Sequence, residues 1–313
     1  MDDNRQETNP MGIQNVTPNV TPRIGMPAKT IAPAGNPLAK HFRQPAIYIN
    51  LPSRGKYWEN NTLDMPESGE IPIFPMTTKD EITLRTPDAL MNGQGVVEVI
   101  QSCVPAIKNA WKIPSVDTDA ILIAMRIASY GHDMDFEGTC PKCDETNTYT
   151  MDLRNVLGSI KCPNYDNIMD LQAVNIKFKP QSYLQTTQVN QAQFEMQKYE
   201  RLLSTMTDEN IEEKTKIASQ QVRRLNELAT EMLTNATEYI IDVESGTRID
   251  RKDYIKEFYT NIESKVVQQI NEWLGELIKD SSPKTQRVTC AGCGEDIDLQ
   301  IMFDYANFFV TGF

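Results

Sequence analysis

Four cysteines form two short turns that could together bind one metal ion. The first turn is CPKC, with Cys140 and Cys143, and the second is CAGC, with Cys290 and Cys293. Each C-x-x-C turn can supply two thiolates, and two such turns complete the tetrahedral four-sulfur set that zinc prefers. The sequence therefore predicts a zinc site with these four residues as ligands, although they lie far apart in the chain.

Both turns adjoin alternating, β-favouring sequence, at residues 144–152 after the first and 286–289 before the second. This arrangement is typical of a zinc ribbon, whose turns lie at the tips of β-hairpins. Gly292 and Gly294 are expected to let the second turn fold tightly, and Lys142 to offset part of the thiolate charge. A closed four-cysteine site has no open coordination position, so we predict a structural role for the metal.

Zinc ribbons also occur in nucleic-acid-binding and transcription-related proteins, and this remains the alternative function. A formal net charge of -12 disfavours it, because a surface that binds phosphates needs clustered lysine and arginine. Acidic residues also surround the two turns and would repel phosphates. They are Asp144, Glu145, Glu295, Asp296 and Asp298.

The remaining residues show no catalytic pattern. Cys103 and Cys162 stand alone and are predicted to be small buried side chains, with Cys162 as a replacement ligand if the pairing differs. His41 and His132 accompany no nucleophile, and phosphate-binding or dinucleotide-binding glycine motifs are absent from the sequence. We predict no catalytic or cofactor-binding residues and a protein that is not an enzyme. The enzymatic alternative is an unrecognised carboxylate pair or a redox-active C-x-x-C turn, and a closed zinc site would prevent the second.

The N-terminal residues 1–44 are rich in proline and poor in aromatic residues. Proline removes backbone donors, and such a segment buries too little apolar surface to offset the entropy of ordering. We predict an extended arm that is disordered when free. It is either a passive tail or an arm that becomes ordered on a neighbouring subunit.

Residues 45–139 are predicted to form a small β element followed by short helices. Residues 47–51 and 69–76 favour two strands that pair in an antiparallel manner, the second with edge-type prolines. One helix is expected at 96–103. Another is expected to begin at Asp117 or Asp119 and to end at Tyr130, with Gly131 as its C-cap.

Residues 153–285 are predicted to be a mainly helical insertion. From Gln188 to Asp242 the pattern favours helices, the second with a coiled-coil-like seam that pairs with the preceding helix or, alternatively, with another subunit. The seam consists of Ala218, Val222, Leu225, Ala229, Met232, Ala236 and Tyr239, and its expected partners are Tyr199, Leu202, Leu203 and Met206.

A further helix is predicted to begin at the capping box Thr260-x-x-Glu263 and to carry one apolar stripe that includes Trp273. The predicted fold class is α+β: a disordered N-terminal arm, a small antiparallel β element, a helical core and a zinc ribbon. Residues 140–152 and 286–313 would form the ribbon, which the insertion at 153–285 interrupts.

Several segments then carry a family resemblance. Residues 51–57 (LPSRGKY), 75–81 (PMTTKDE) and 124–131 (AMRIASYG) lead into the first cysteine turn, and 239–255 and Phe308-Phe309 follow later. These segments resemble the baseplate hub protein family of T-even-like contractile-tailed bacteriophages. The resemblance covers residues 46–145 best and residues 239–310 more loosely.

This resemblance implies a component or assembly factor of the central baseplate hub. Such a protein works by binding other phage tail and baseplate hub proteins, forms a homo-oligomer within the baseplate and has no catalytic residues. It is made in the host cytoplasm and resides in the virion tail after assembly. From the residues themselves we expect no membrane span, because no run approaches the roughly 20 apolar residues that one requires.

Overall fold

The computed structural model describes residue 38 and residues 41–86, 92–205, 211–279, 281, 286–299 and 309. The chain divides into two units, residues 1–42 and residues 43–313. Most of the first unit, and with it most of the predicted arm, lies outside the described residues. The described fold is α+β, with helices and small antiparallel sheets, as predicted.

The N-terminal part of the second unit contains the predicted small sheet and a group of helices. Strand β1 (Ile47–Ile49) pairs with β2 (Ile71–Ile73) in an antiparallel manner. The elements that follow are α1 (Thr78–Leu84), α2 (Gln94–Cys103), a 3-10 turn (Ala110–Lys112), α3 (Ser115–Tyr130), β3 (Asp133–Thr139), β4 (Thr146–Asp152) and α4 (Leu153–Ser159).

Helix α3 lies at the centre of the first apolar core. Its residues Ile121, Leu122 and Met125 are almost completely buried, together with Ile71 of β2 and Ile100 of α2. Full burial of each such side chain contributes about 1.5–3 kcal/mol relative to exposure. Met134 of β3 and Met151 of β4 also belong to this core. The β3–β4 hairpin, which carries residues 140–145 at its tip, is therefore attached to the core at its base.

The ends of α3 match the prediction only in part. Gly131 is the C-cap, as expected, with a φ of 90° and an N–H that donates to Ile127 O at 3.1 Å. The helix begins at Ser115, however, with Pro114 at the N-cap. The Asp117 carboxylate does not cap the helix, because it accepts hydrogen bonds from the turn around Ser53 instead.

A second core lies under a four-stranded antiparallel sheet. The sheet has the order β5 (Ile168–Asp170), β6 (Val174–Phe178), β7 (Thr237–Asp242) and β8 (Arg248–Ile249). Helices α5 (Tyr183–Thr205) and α6 (Ile211–Ala236) follow β6, and α7 (Lys252–Asn261) and α8 (Ser264–Ile278) follow β8. The sequence patterns did not predict this sheet, because its edge strands are too short to show an alternation.

The predicted seam of α6 is only partly correct. Leu225 and Ala229 are exposed, whereas Leu228 is buried and packs with Met232 against α5. Tyr239 lies in β7 rather than in a helix. The buried face is displaced because the end of α6 must also cover the second core. The side chains of Ala218, Val222, Tyr199, Leu202, Leu203 and Met206 lie outside the described residues.

The predicted capping box is wrong, but the apolar stripe that follows it is correct. Thr260 lies inside α7, where its hydroxyl donates to Lys256 O at 2.8 Å, and α8 begins only at Ser264. The stripe of α8 packs into the second core, and Trp273 contacts the Phe178 ring with centroids 5.4 Å apart.

The C-terminal described elements are β9 (Gln286–Thr289) and β10 (Asp296–Leu299), which form an antiparallel hairpin. Further on, Phe309 is buried in the first core. Among the described residues, no helix combines the length and the apolar character needed to cross a membrane.

Candidate metal centre

Two antiparallel hairpins place the cysteine turns. Residues 140–145 connect β3 to β4, where Thr139 is paired with Thr146. Residues 290–295 connect β9 to β10, where Thr289 is paired with Asp296. Each turn thus begins directly after the last paired residue of a strand, and both have the hairpin-tip position that the sequence predicted.

The first turn is closed by two backbone hydrogen bonds. The Cys140 N–H donates to Glu145 O at 2.9 Å, and the Asp144 N–H donates back to Cys140 O at 2.9 Å. Asp144 adopts a left-handed φ of 56°, which is uncommon for a residue with a side chain. This geometry directs the loop around the sulfur atoms of Cys140 and Cys143.

The second turn repeats this pattern. The Cys290 N–H donates to Glu295 O at 2.8 Å, and the Gly294 N–H donates to Cys290 O at 3.0 Å. Gly294, with a φ of 72°, occupies the position of Asp144 in the first turn. Gly294 therefore permits the tight turn, as expected from the sequence.

The four thiol groups of the turns converge. All four Sγ atoms lie within 4.8 Å of one another, and the closest pairs, Cys140 with Cys293 and Cys143 with Cys290, are 3.7 Å apart. Tetrahedral sulfur ligands about 2.3 Å from an ion lie roughly 3.8 Å from one another. A disulfide requires a separation of only about 2.05 Å, so the spacing suits a shared ion and not a disulfide.

One side of this cluster is shielded by protein. Cys140 and Cys290 are buried, whereas Cys143 and Cys293 are exposed. The buried pair packs with Ile297 and, partly, with Tyr149 and Val288. In addition, the Asn147 side-chain amide donates to the Cys290 sulfur at 3.4 Å, an outer contact that orients a ligand.

Hydrogen bonds contribute to opposite pKa shifts at two of the thiols, Cys290 and Cys143. The Cys293 and Gly292 N–H groups donate to Cys290 and lower the pKa of its thiol to about 7. At Cys143 the Glu145 N–H acts in the same direction, but hydrogen bonds with the other sulfurs, first that of Cys293, raise the pKa to about 12. Because the thiolate is the metal ligand, a divalent cation would take the place of the shared protons.

Two contacts join the turns directly. Lys142 of the first turn forms an ion pair with Glu295 of the second turn. Glu145 of the first turn lies over Gly292, where a Cβ atom would be 1.6 Å from the carboxylate oxygen. Gly292 thus makes room for Glu145, in addition to donating its N–H to the Cys290 sulfur. No sequence pattern indicated this contact.

The other candidate residues lie outside the cluster. Cys103 is completely buried, as predicted, and burial raises the pKa of its thiol to about 12. Cys162 is half-buried and donates to Pro163 O at 3.4 Å. His132 lies 3.5 Å from the Asp133 carboxylate. Within the described part of the chain, the four turn cysteines are the one group whose side chains could hold a metal ion.

Comparison with known proteins identifies the family of the chain. No curated protein matches it. No solved structure matches it either. The model of one family, T4 bacteriophage base plate protein, matches residues 49–310, a range that includes both cysteine turns and both cores. Because this match spans most of the sequence, the chain belongs to the T4 bacteriophage base plate protein family.

Proposed function

We propose that the protein is a structural component of a phage tail baseplate and acts by binding other baseplate proteins. The observation that carries this proposal is the family match over residues 49–310. The resemblance of residues 51–57 and 124–131 to hub proteins favours a position in the central hub. By this proposal the chain is made in the host cytoplasm, assembles as a homo-oligomer and remains in the virion tail.

The same proposal includes one structural zinc ion held by Cys140, Cys143, Cys290 and Cys293. The sulfur spacing and the tetrahedral four-thiolate set support zinc over harder cations, which prefer oxygen ligands. The ion would join two hairpins that are far apart in the chain, and binding energy would become folding energy. With no open coordination position, such a site favours a non-enzymatic role.

Metal analysis of the purified, reduced protein tests the zinc proposal. We expect one zinc per chain, and we expect Cys290→Ser to lose most of it and to melt at a lower temperature. Cys162→Ser is the matched control, because Cys162 lies outside the cluster, and it should keep its zinc. Equal zinc contents in the wild type and Cys290→Ser would contradict the proposed ligand set.

Mass spectrometry of purified tails, followed by imaging of the labelled chain, tests the baseplate proposal. We expect the chain in tails and at their central hub. Its absence from baseplates would refute the proposed function. A salt-sensitive complex with DNA or RNA in a gel shift would instead support the nucleic-acid alternative.

A further inference from the structure

Residues 51–58, the Arg54 turn, form a tight loop between β1 and β2. The Arg54 N–H donates to Leu51 O at 2.9 Å, and the Lys56 N–H donates to Ser53 O at 3.0 Å. The loop turns twice within a few residues. Its tip is therefore a defined structure, from which the exposed side chains of Arg54 and Lys56 project.

A buried carboxylate holds this turn from below. Asp117 of α3 is completely buried and accepts hydrogen bonds from the Ser53 N–H at 2.8 Å, the Ser53 hydroxyl at 2.5 Å and the Trp58 indole N–H at 2.7 Å. These bonds attach both ends of the turn to one point of the first core. Hydrogen bonds to a charged acceptor are stronger than those between neutral groups, so the attachment is firm.

A second loop holds the turn from the side. Lys56 forms an ion pair with Asp166, and the Tyr57 ring meets the Tyr165 ring edge to face with centroids 5.5 Å apart. Tyr165 belongs to the second core. The Arg54 turn is thus braced by both cores, and its conformation is fixed before any partner arrives.

The backbone of Arg54 has an unfavourable conformation, and its side chain has no polar partner among the described residues. Its φ of 51° lies in the left-handed region, which a non-glycine residue adopts only at a cost in free energy. Glycine would suit this position better. Within the part of the chain that the structure describes, no hydrogen bond or ion pair of the guanidinium is present. The Arg54 side chain therefore adds no polar contact to the described fold.

Two acidic residues that follow the turn in the sequence already have cation partners. Glu59 pairs with Lys112 at 3.0 Å and Asp64 pairs with Lys108 at 2.9 Å. The half-exposed Met65 lies against Gly55. Arginine and methionine are both enriched in protein interfaces, where an apolar contact surrounds a polar anchor.

We propose that the Arg54 turn is a docking surface and that Arg54 binds a carboxylate of a neighbouring baseplate protein. The guanidinium presents a planar pair of donors that matches the two carboxylate oxygens. By this proposal, the left-handed backbone conformation of Arg54 is retained because it directs the side chain towards the partner. This inference rests on the proposed function, since the partner is a component of the same baseplate.

Complementation with full-length variants tests the surface. Cells infected by a phage that lacks this gene supply either the wild type, Arg54→Gly or Asn61→Gly, and the chain is quantified in purified baseplates. Asn61 is the matched control, because it is exposed and also left-handed, with a φ of 63°. We expect Arg54→Gly to fold with unchanged or higher stability and to be incorporated at least about tenfold less. We expect Asn61→Gly to be incorporated normally.

Carbodiimide cross-linking identifies the chemical class of the partner. In baseplates that contain Arg54→Lys, the introduced amine should form an amide with an aspartate or glutamate of another tail protein. A cross-link to such a residue supports the proposal. The absence of any intermolecular cross-link, or normal incorporation of Arg54→Gly, overturns it.

Two further outcomes separate this inference from the proposed function. If wild-type chain is absent from baseplates, the proposed function fails. If the wild type and Arg54→Gly are present equally, only the docking surface fails. A low-salt complex of the wild type with duplex DNA that Arg54→Gly abolishes would also overturn it, since the guanidinium would then serve phosphates.

Discussion

At the scale of single residues, Asp117 shows how one buried carboxylate can organise a loop. Desolvation raises the pKa of Asp117, and hydrogen bonds from Ser53 and Trp58 act in the opposite direction. The two Ser53 donors are buried and the Trp58 indole is partly buried, so their hydrogen bonds depend on this carboxylate. The carboxylate therefore stabilises the fold by satisfying the Arg54 turn.

We predict that Asp117→Ala lowers the free energy of unfolding by about 2–4 kcal/mol, because it leaves buried donors unsatisfied. Chemical denaturation followed by tryptophan fluorescence measures this change. Glu98→Ala, which removes an exposed helical carboxylate, is the control and should change stability by less than about 0.5 kcal/mol. Equal effects of the two substitutions would show that Asp117 does not hold the turn.

At the scale of elements, Arg43 fixes the chain where the second unit begins. Its guanidinium donates to Pro75 O at 2.7 Å and to Ser102 O at 2.7 Å, and it pairs with Asp80 at 3.2 Å. Asp80 in turn caps α1 through Thr77. The arm predicted at residues 1–44 therefore includes a residue that belongs to the described fold. The boundary between the two units lies after Phe42 in the sequence.

Deletion of residues 1–42 should leave the thermal midpoint of the remaining chain close to that of the full chain, because the residues of this range that the structure describes, 38, 41 and 42, are exposed. Deletion of residues 1–44 should destabilise it by about 2–4 kcal/mol, since the buried Asp80 loses its cation. Arg43→Ala in the full chain should reproduce the loss. If the longer deletion melts like the shorter one, Arg43 has no stabilising role.

The cysteine hairpins belong to the same scale. The four Sγ atoms join β3–β4 to β9–β10, and the apolar contacts around them form a small cluster of their own. Neither of the two large cores includes a turn cysteine. Loss of a bound ion should then open this module and leave the cores folded.

Chelation followed by hydrogen exchange tests this separation. We predict faster amide exchange at residues 140–149 and 288–297 after zinc removal, with little change in α3, and recovery when zinc is returned. Calcium in place of zinc is the control and should not restore protection, because thiolates bind it poorly. Faster exchange throughout α3 would mean that the ion supports the whole fold.

At the scale of the whole molecule, burial determines how stability responds to alkaline pH. Desolvation raises the pKa values of Tyr165, Tyr183 and Tyr259 to about 12. These groups keep their protons in the folded state at pH values where the unfolded chain has lost them. Their contribution to the free energy of unfolding is fully present below the unfolded pKa of about 10 and is lost as the pH rises towards 12.

We predict that the free energy of unfolding falls as the pH rises above about 10, measured by urea denaturation at a series of pH values. Tyr183→Phe should make this fall shallower. The effect of Lys252 on the free energy of unfolding has the opposite sign. Burial lowers its pKa to about 8, so this free energy rises between about pH 8 and pH 10, where the amine has lost its charge in the folded state but not in the unfolded state. Lys252→Met should remove that rise. A flat profile for the wild type would contradict the prediction.

Features that depend on local chemistry could be predicted from the amino-acid sequence. Two C-x-x-C turns beside β-favouring residues indicated hairpin tips and a shared ion, because ligand type and spacing are properties of the chain. The α+β class, the β1–β2 pair and the Gly131 stop of α3 followed from strand propensity and from glycine conformation. The resemblance of residues 51–57 and 124–131 indicated the phage baseplate family.

Features that depend on contacts between distant residues are seen only in the folded chain. The edge strands of the four-stranded sheet, with three and two residues, are too short to have a signature. The buried face of α6 shifts because two partners cover it. Thr260 has a capping pattern but lies in a continuing helix. Gly292 and Asp117 acquire their roles from Glu145 and Ser53, which are far away in sequence. Such pairings arise from packing and desolvation in the folded chain, and no local pattern encodes them.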